Sequence, residues 1–164
     1  MPRLLVFSTQ LLHTGGIESH ILQFCKEVSG LGYELDLLVL HSEMDQSQRN
    51  VLESFCKNIY FINDYFKIRK AFQLPALFIK ILSCHYDVFY TNGQGRSIFY
   101  LAKIFRYKKH IHHHHTAGDE IDRRTWPKKY INVMQKANLV IACSATNSNS
   151  IASILNRQIG RAHV

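Results

Sequence analysis

The sequence predicts an α/β fold, a Rossmann-like parallel sheet with helices on both faces. Three observations carry that expectation. Short apolar runs of strand length alternate six times with longer stretches in helical period. The strand-like runs are apolar throughout rather than alternating, the pattern of strands buried on both sides. A chain of 164 residues, 46% hydrophobic and 20% charged, has the size and composition of one ordinary globular domain.

The elements follow in order. Residues 3–8 read as a buried strand, and a Gly-Gly turn leads to a helix over 17–31 with Ile17, Ile21, Phe24 and Val28 on one face. Gly30 and Gly32 close that helix, and 33–40 is a second strand. A helix over 46–57 turns Val51, Leu52 and Phe55 inward, 58–62 is a short strand, and 66–83 is a helix interrupted or restarted at Pro75. A strand at 86–90 ends in the tight loop Thr91-Asn92-Gly93-Gln94-Gly95. Then come a helix at 97–105, a strand at 110–115, a polar loop, a helix at 126–137, a strand at 139–143, and a helix at 145–156 capped by Ser144.

Charge narrows the partners. Twenty Lys and Arg against twelve Asp and Glu give a net charge of +8, suited to a polyanion, an anionic headgroup or a phosphate-bearing substrate. Nucleic acid is not expected, because the basic residues join no helix-turn-helix, finger or exposed aromatic sheet. Cys25, Cys56, Cys84 and Cys143 form no CxxC pair and read as reduced, mostly buried thiols. The opening residues lack the apolar stretch of a signal peptide, and no apolar run is of spanning length, so a cytoplasmic protein is expected. The basic, aromatic stretch 65–82 suits peripheral contact with the inner face of a membrane through Lys67, Arg69 and Lys70. A buried helix with one solvated basic turn would read the same way.

Chemistry is concentrated at strand ends. Gly15 and Gly16 lie between the first strand and first helix, where a bare backbone and the helix N-terminus make a cradle for a phosphate or diphosphate. The spacing is neither a GxGxxG nor a P-loop fingerprint, so a plain turn is the alternative. The run His110-Ile111-His112-His113-His114-His115 places His110, His112 and His114 on one face of a strand and His113 and His115 on the other. Two histidines two apart could share an ion, joined by Asp119 or Glu120. A parallel strand packed under helices on both faces argues against it, and no metal is expected. His114 and His115, nearest the ligand-binding end of the strand, are read as contacts to a phosphate or other polar ligand, and the rest as hydrogen-bonded core groups. Asn92 and Gln94 line a ligand site or a plain turn, and Asp119 and Glu120 a ligand-facing or simply solvated loop.

Four segments in register resemble one family. Gly15-Gly16-Ile17-Glu18 with Gly32-Tyr33-Glu34-Leu35-Asp36 is similar to the opening of glycosyltransferase family 4. So are Asp87-Val88-Phe89-Tyr90-Thr91-Asn92, the strand ending His114-His115, and Lys136-Ala137-Asn138-Leu139-Val140-Ile141-Ala142-Cys143-Ser144. The resemblance spans residues 3–156 and implies the N-terminal, acceptor-side half of a GT-B fold over 1–158. It implies retaining transfer of a hexosyl group from a nucleotide sugar to a glycan or lipid-linked acceptor, as in cell-surface polysaccharide synthesis. It also implies no cofactor beyond the donor, and paired catalytic glutamates in a further C-terminal domain, without which this fragment is inactive. By the same resemblance Gly15 and Gly16 face the donor diphosphate.

The end of the chain carries an expectation of its own. Residues 159–164, Ile159-Gly160-Arg161-Ala162-His163-Val164, are the translation of ATC GGA AGA GCA CAC GTC, part of a short-read sequencing adapter. They follow a helix with no evident cap or closing strand and are read as a non-native tail. Two other function classes stay open on the residues alone: a stand-alone Rossmann-like nucleotide- or phosphate-binding module, and a His-rich metal-binding protein.

Overall fold

The computed structural model describes residues 1–11, 15–65, 73–93, 96–115, 128–156 and 160–161. Seven strands, β1 (Arg3–Leu11), β2 (Glu34–Ser42), β3 (Asn58–Phe61), β4 (His85–Asn92), β5 (Arg106–His114), β6 (Leu139–Ala142) and β7 (Gly160–Arg161), form one sheet in the order β3-β2-β1-β4-β5-β6-β7. Every neighbouring pair is parallel. The helices are α1 (Gly16–Gly30), α2 (Gln46–Glu53), α3 (Ile62–Tyr65), α4 (Leu74–Leu82), α5 (Arg96–Ile104), α6 (Lys128–Lys136) and α7 (Ala145–Leu155). The expected α/β architecture is what forms.

The pleat divides the apolar residues into two cores. Leu4, Val6, Leu35, Leu37 and Val39 pack with Ile21 and Cys25 of α1 and Leu52 of α2. Leu5, Phe7, Leu38 and Phe89 pack on the opposite side with Leu77, Leu101, Met134, Ile151 and Leu155 from α4 to α7. Each fully buried Leu or Phe contributes about 2 kcal/mol of transfer free energy, so helices on both sides are what keep an apolar sheet folded.

Register is fixed at the N-terminal rim. Asp36 of β2, 2% exposed, accepts from Arg3 Nη2 of β1 at 3.0 Å, Asn58 Nδ2 of β3 at 2.7 Å and Tyr86 Oη of β4 at 2.8 Å. Arg3 also pairs with Glu34 at 2.9 Å, and its backbone N–H donates to Asp87 at 2.9 Å.

Several boundaries differ from the expectations. β5 begins at Arg106, four residues before the expected 110, because its charged first residues project at an exposed strand end while their backbones pair with β4. Thr91 and Asn92 belong to β4, paired with His112 and His113, and the turn starts only at Gly93. Val51 is 48% exposed rather than inward, and α2 ends at Glu53. Ser144 caps α7 as expected, accepting from Asn147 N at 3.2 Å. The helix does have a closing cap: Asn156 adopts φ 52, ψ 46, and Gly160–Arg161 then pairs with β6. Pro75 lies in the first turn of α4, as a restart requires. Lys67, Arg69 and Lys70 fall outside the described residues. Among the described residues no helix is long and apolar enough to cross a membrane.

Replacing Asp36 by Ala takes the acceptor from a carboxamide and a buried phenol and leaves Arg3 with Glu34 alone, and we expect it to cost about 3 kcal/mol of unfolding free energy. Urea titration of the two proteins measures the difference; a loss under 1 kcal/mol, on the scale of a neutral surface change, means that Asp36 does not hold the rim.

Candidate functional site

β1 runs on to β2 on one side of it, whereas β4 lies on its other side and leads away to β5. The carboxyl ends of β1 and β4 therefore flank a topological switch point, the place where open parallel sheets leave a crevice for ligands. Ser8, Asn92 and His113 stand level along this rim, since Ser8 pairs with Asn92 and Asn92 with His113.

On the β1 side, α1 starts at Gly16 with Gly15 as its cap, and both glycines are exposed. Gly15 is extended, φ 166, a backbone open to any residue. A Cβ there would run into the Glu18 carboxylate, which sits in the first turn of α1 where negative charge suits the helix dipole. At Gly16 a Cβ would meet no atom of the described residues within 4 Å. Of the two positions only 15 is crowded, and by the movable end of one side chain.

On the β4 side, Gly93 adopts φ 106, a left-handed backbone that favours glycine, and its N–H donates to His113 O at 3.2 Å. Asn92 is fully buried, and its amide nitrogen and oxygen have no hydrogen-bond partner among the described residues. A buried primary amide left without partners costs on the order of 1–3 kcal/mol, so this group calls for a ligand or water.

The histidines of β5 divide as their alternation requires. His110 and His112 meet the Thr91 hydroxyl at 2.9 Å each, and His112 and His114 lie ring to ring at 5.9 Å, all on the side of the sheet facing α5 to α7. On the α1 side, His113 and His115 stack at 4.2 Å and His20 of α1 stands edge-on to both. Tyr90 Oη bonds to His113 Nδ1 at 2.7 Å and His20 Nε2 at 2.9 Å, and Cys143 Sγ lies 3.0 Å from His115 Nδ1. Burial pushes these rings down: His110, His114 and His115 to about 4 and His113 to about 3, with neighbouring imidazoles adding to the last three. They are neutral at pH 7.

The family model described as Glycosyltransferase Family 4 matches residues 14–164. The chain belongs to glycosyltransferase family 4. Among curated proteins, none matches it.

For this family 4 domain the structure sorts the residues read from the sequence. Gly15, Gly16, Asn92 and His115 converge on one rim. His114 is fully buried on the side of the sheet opposite His115, because the pleat sends it there. Gln94, Asp119 and Glu120 lie outside the described residues. His20, Tyr90 and Cys143 were given no role by the sequence reading. The available signal was helical period, which sets His20 one turn beyond Gly16 and one turn before Phe24, whose ring stacks with it at 6.1 Å.

The buried imidazoles make stability depend on pH. Between pH 6.5 and about 4 only the unfolded chain protonates them, so the unfolded state binds more protons and stability falls on acidification. Each ring contributes up to about 1.4 kcal/mol per pH unit in that window. In metal-free buffer we expect the urea midpoint to hold above pH 7 and fall from 6.5 to 4, less steeply in His110→Gln. A midpoint flat to pH 4 would contradict it.

Proposed function

We propose that this domain is the acceptor-side half of a retaining hexosyltransferase that uses a nucleotide-sugar donor. The glycosyltransferase family membership supplies the general reaction, and the rim supports the finer reading. The single observation behind it is the pair of unmet positions at the switch point: Gly16, where a Cβ would meet no atom of the described residues, and Asn92, whose amide has no partner among them. A diphosphate resting at the start of α1 gains the free N–H groups and the positive end of the helix without a side chain in its way. The Asn92 amide then offers one donor and one acceptor to a hydroxyl of the sugar or acceptor.

His115 suits a hydroxyl better than a phosphate. With its pKa lowered to about 4 it is a neutral imidazole at pH 7, able to donate or accept one hydrogen bond but carrying no charge to attract an anion. Donor charge is left to the helix end and to the second domain, which in this reading holds the nucleotide and the paired glutamates and closes over the rim. No cofactor beyond the donor enters the scheme. The acceptor is a glycan or a lipid-linked glycan on the cytoplasmic side, and the exposed Ile79, Tyr100 and Ile104 of α4 and α5 favour a stance against a membrane surface.

In the two-domain enzyme, Gly16→Val is expected to lower kcat/KM at least tenfold, about 1.4 kcal/mol, by placing a branched side chain where the diphosphate rests. The melting temperature should move little, since the added Cβ meets no atom of the described residues within 4 Å. Wild-type kinetics in that variant would remove the assignment.

A further inference from the structure

Three histidines from two elements come together beneath this rim. His20 of α1 and His113 and His115 at the end of β5 each offer a ring nitrogen, and these three atoms lie within 4.8 Å of one another. His113 Nδ1 and His20 Nε2 are 3.1 Å apart. Two nitrogens on one tetrahedral ion, each about 2.0–2.1 Å from it, stand roughly 3.3 Å apart, so this pair is already at ligand spacing. Cys143, one residue past β6, brings its sulfur to 3.0 Å from His115 Nδ1 and 3.7 Å from His113 Nε2. His115 Nε2 is buried with no hydrogen-bond partner among the described residues.

We infer that His20, His113 and His115 form a binding site for a zinc-class transition-metal ion. Three imidazoles make a donor set that favours Zn²⁺ over Mg²⁺ or Ca²⁺ and also accepts Co²⁺. Ring packing orients them before any ion arrives: Phe24 stacks on His20 at 6.1 Å and on Tyr90 at 4.1 Å, and His113 stacks on His115. The Tyr90 hydroxyl, bonded to His20 Nε2 and His113 Nδ1, has to give up both nitrogens as the ion enters, and no covalent bond changes. The Cys143 sulfur lies on the other side of His113, against Nε2, and stays outside the site. The expectation of no metal considered histidines along one strand, joined by Asp119 or Glu120; the site draws on α1 and the end of β5, which only the sheet order brings together. It rests on this geometry and not on the donor reading above.

Titrating the reduced, chelator-stripped chain with Co²⁺ alone tests it. We expect one ion per chain with visible cobalt d–d absorption, displaced by one equivalent of Zn²⁺ in calorimetry. Cys143→Ser, outside the site, should leave binding unchanged. His20→Gln and His115→Gln should each weaken binding at least tenfold, whereas His112→Gln, on the other face, should leave it unchanged. Circular dichroism of each variant confirms that it is folded, and His20→Asn or His115→Asn serves where the glutamine variant is not. Absence of binding at micromolar Co²⁺ and Zn²⁺ overturns the site. So does binding of equal strength in the folded His20 and His115 variants, which would place the ion on other histidines. None of these readouts involves a sugar nucleotide, so failure of the donor site and failure of the metal site are told apart.

Discussion

Everything at the working rim depends on one carboxylate at the opposite one. Asp36 is bonded from β1, β3 and β4 at once, and a parallel sheet has no hairpin turns to fix how far one strand slides past the next. Its three partners set that offset. They differ in chemistry, a guanidinium, a carboxamide and a phenol, so a slip of one residue in any strand would leave a buried charge facing an apolar side chain. Burial and the bond to Asp36 hold the Tyr86 phenol protonated, and it stays a donor throughout the working range. With the offset fixed, Ser8, Asn92 and His113 arrive level at the far end, and the crevice has a floor.

The same register decides what each β5 histidine is for. A parallel strand under helices is ordinarily a run of Val, Ile and Leu, whereas here four imidazoles, His110, His112, His113 and His114, are buried neutral. Toward α5 to α7 the Thr91 hydroxyl meets His110 and His112, and these rings serve as polar packing. Toward α1 the partners are Tyr90, His20 and Cys143, groups that exchange protons or bind ions, and they lie beside the switch point. One strand therefore carries a structural face and a chemical face, separated by the period of two.

That period is why part of the site was legible in the sequence. Alternation alone placed His110, His112 and His114 opposite His113 and His115, and the Gly-Gly turn marked the start of α1 as a backbone cradle. His20 was not legible, because its meeting with His113 needs both the phase of α1 and the adjacency of β1 to β4, and adjacency is a property of the sheet. The start of β5 was missed for another reason: Arg106, Lys108 and Lys109 look like a loop, yet a strand end can hold charged side chains in solvent while its backbone pairs. Asn156 is an inconspicuous cap in sequence, because asparagine in a left-handed turn does what glycine more often does. Gly15 and Gly16 look alike in sequence, whereas in the fold only the first has a neighbour, the Glu18 carboxylate, within reach of a Cβ.

The two sites proposed on this rim are mechanically joined. Gly16 and His20 are four residues apart in α1, hence on the same side of the helix and one turn from each other. An ion held between His20, His113 and His115 would tie that turn to β5 and so fix the height of the α1 N-terminus above Asn92. It would also take a ring nitrogen of His115 away from any hydroxyl. Metal binding would then stiffen the cradle for the diphosphate while removing one contact to the sugar, two effects of opposite sign on two different parts of the donor. An ion that fixes a backbone loop and withdraws a side chain acts on diphosphate and sugar separately. Comparing a nucleoside diphosphate with the full sugar nucleotide, with and without zinc, would resolve the two contributions.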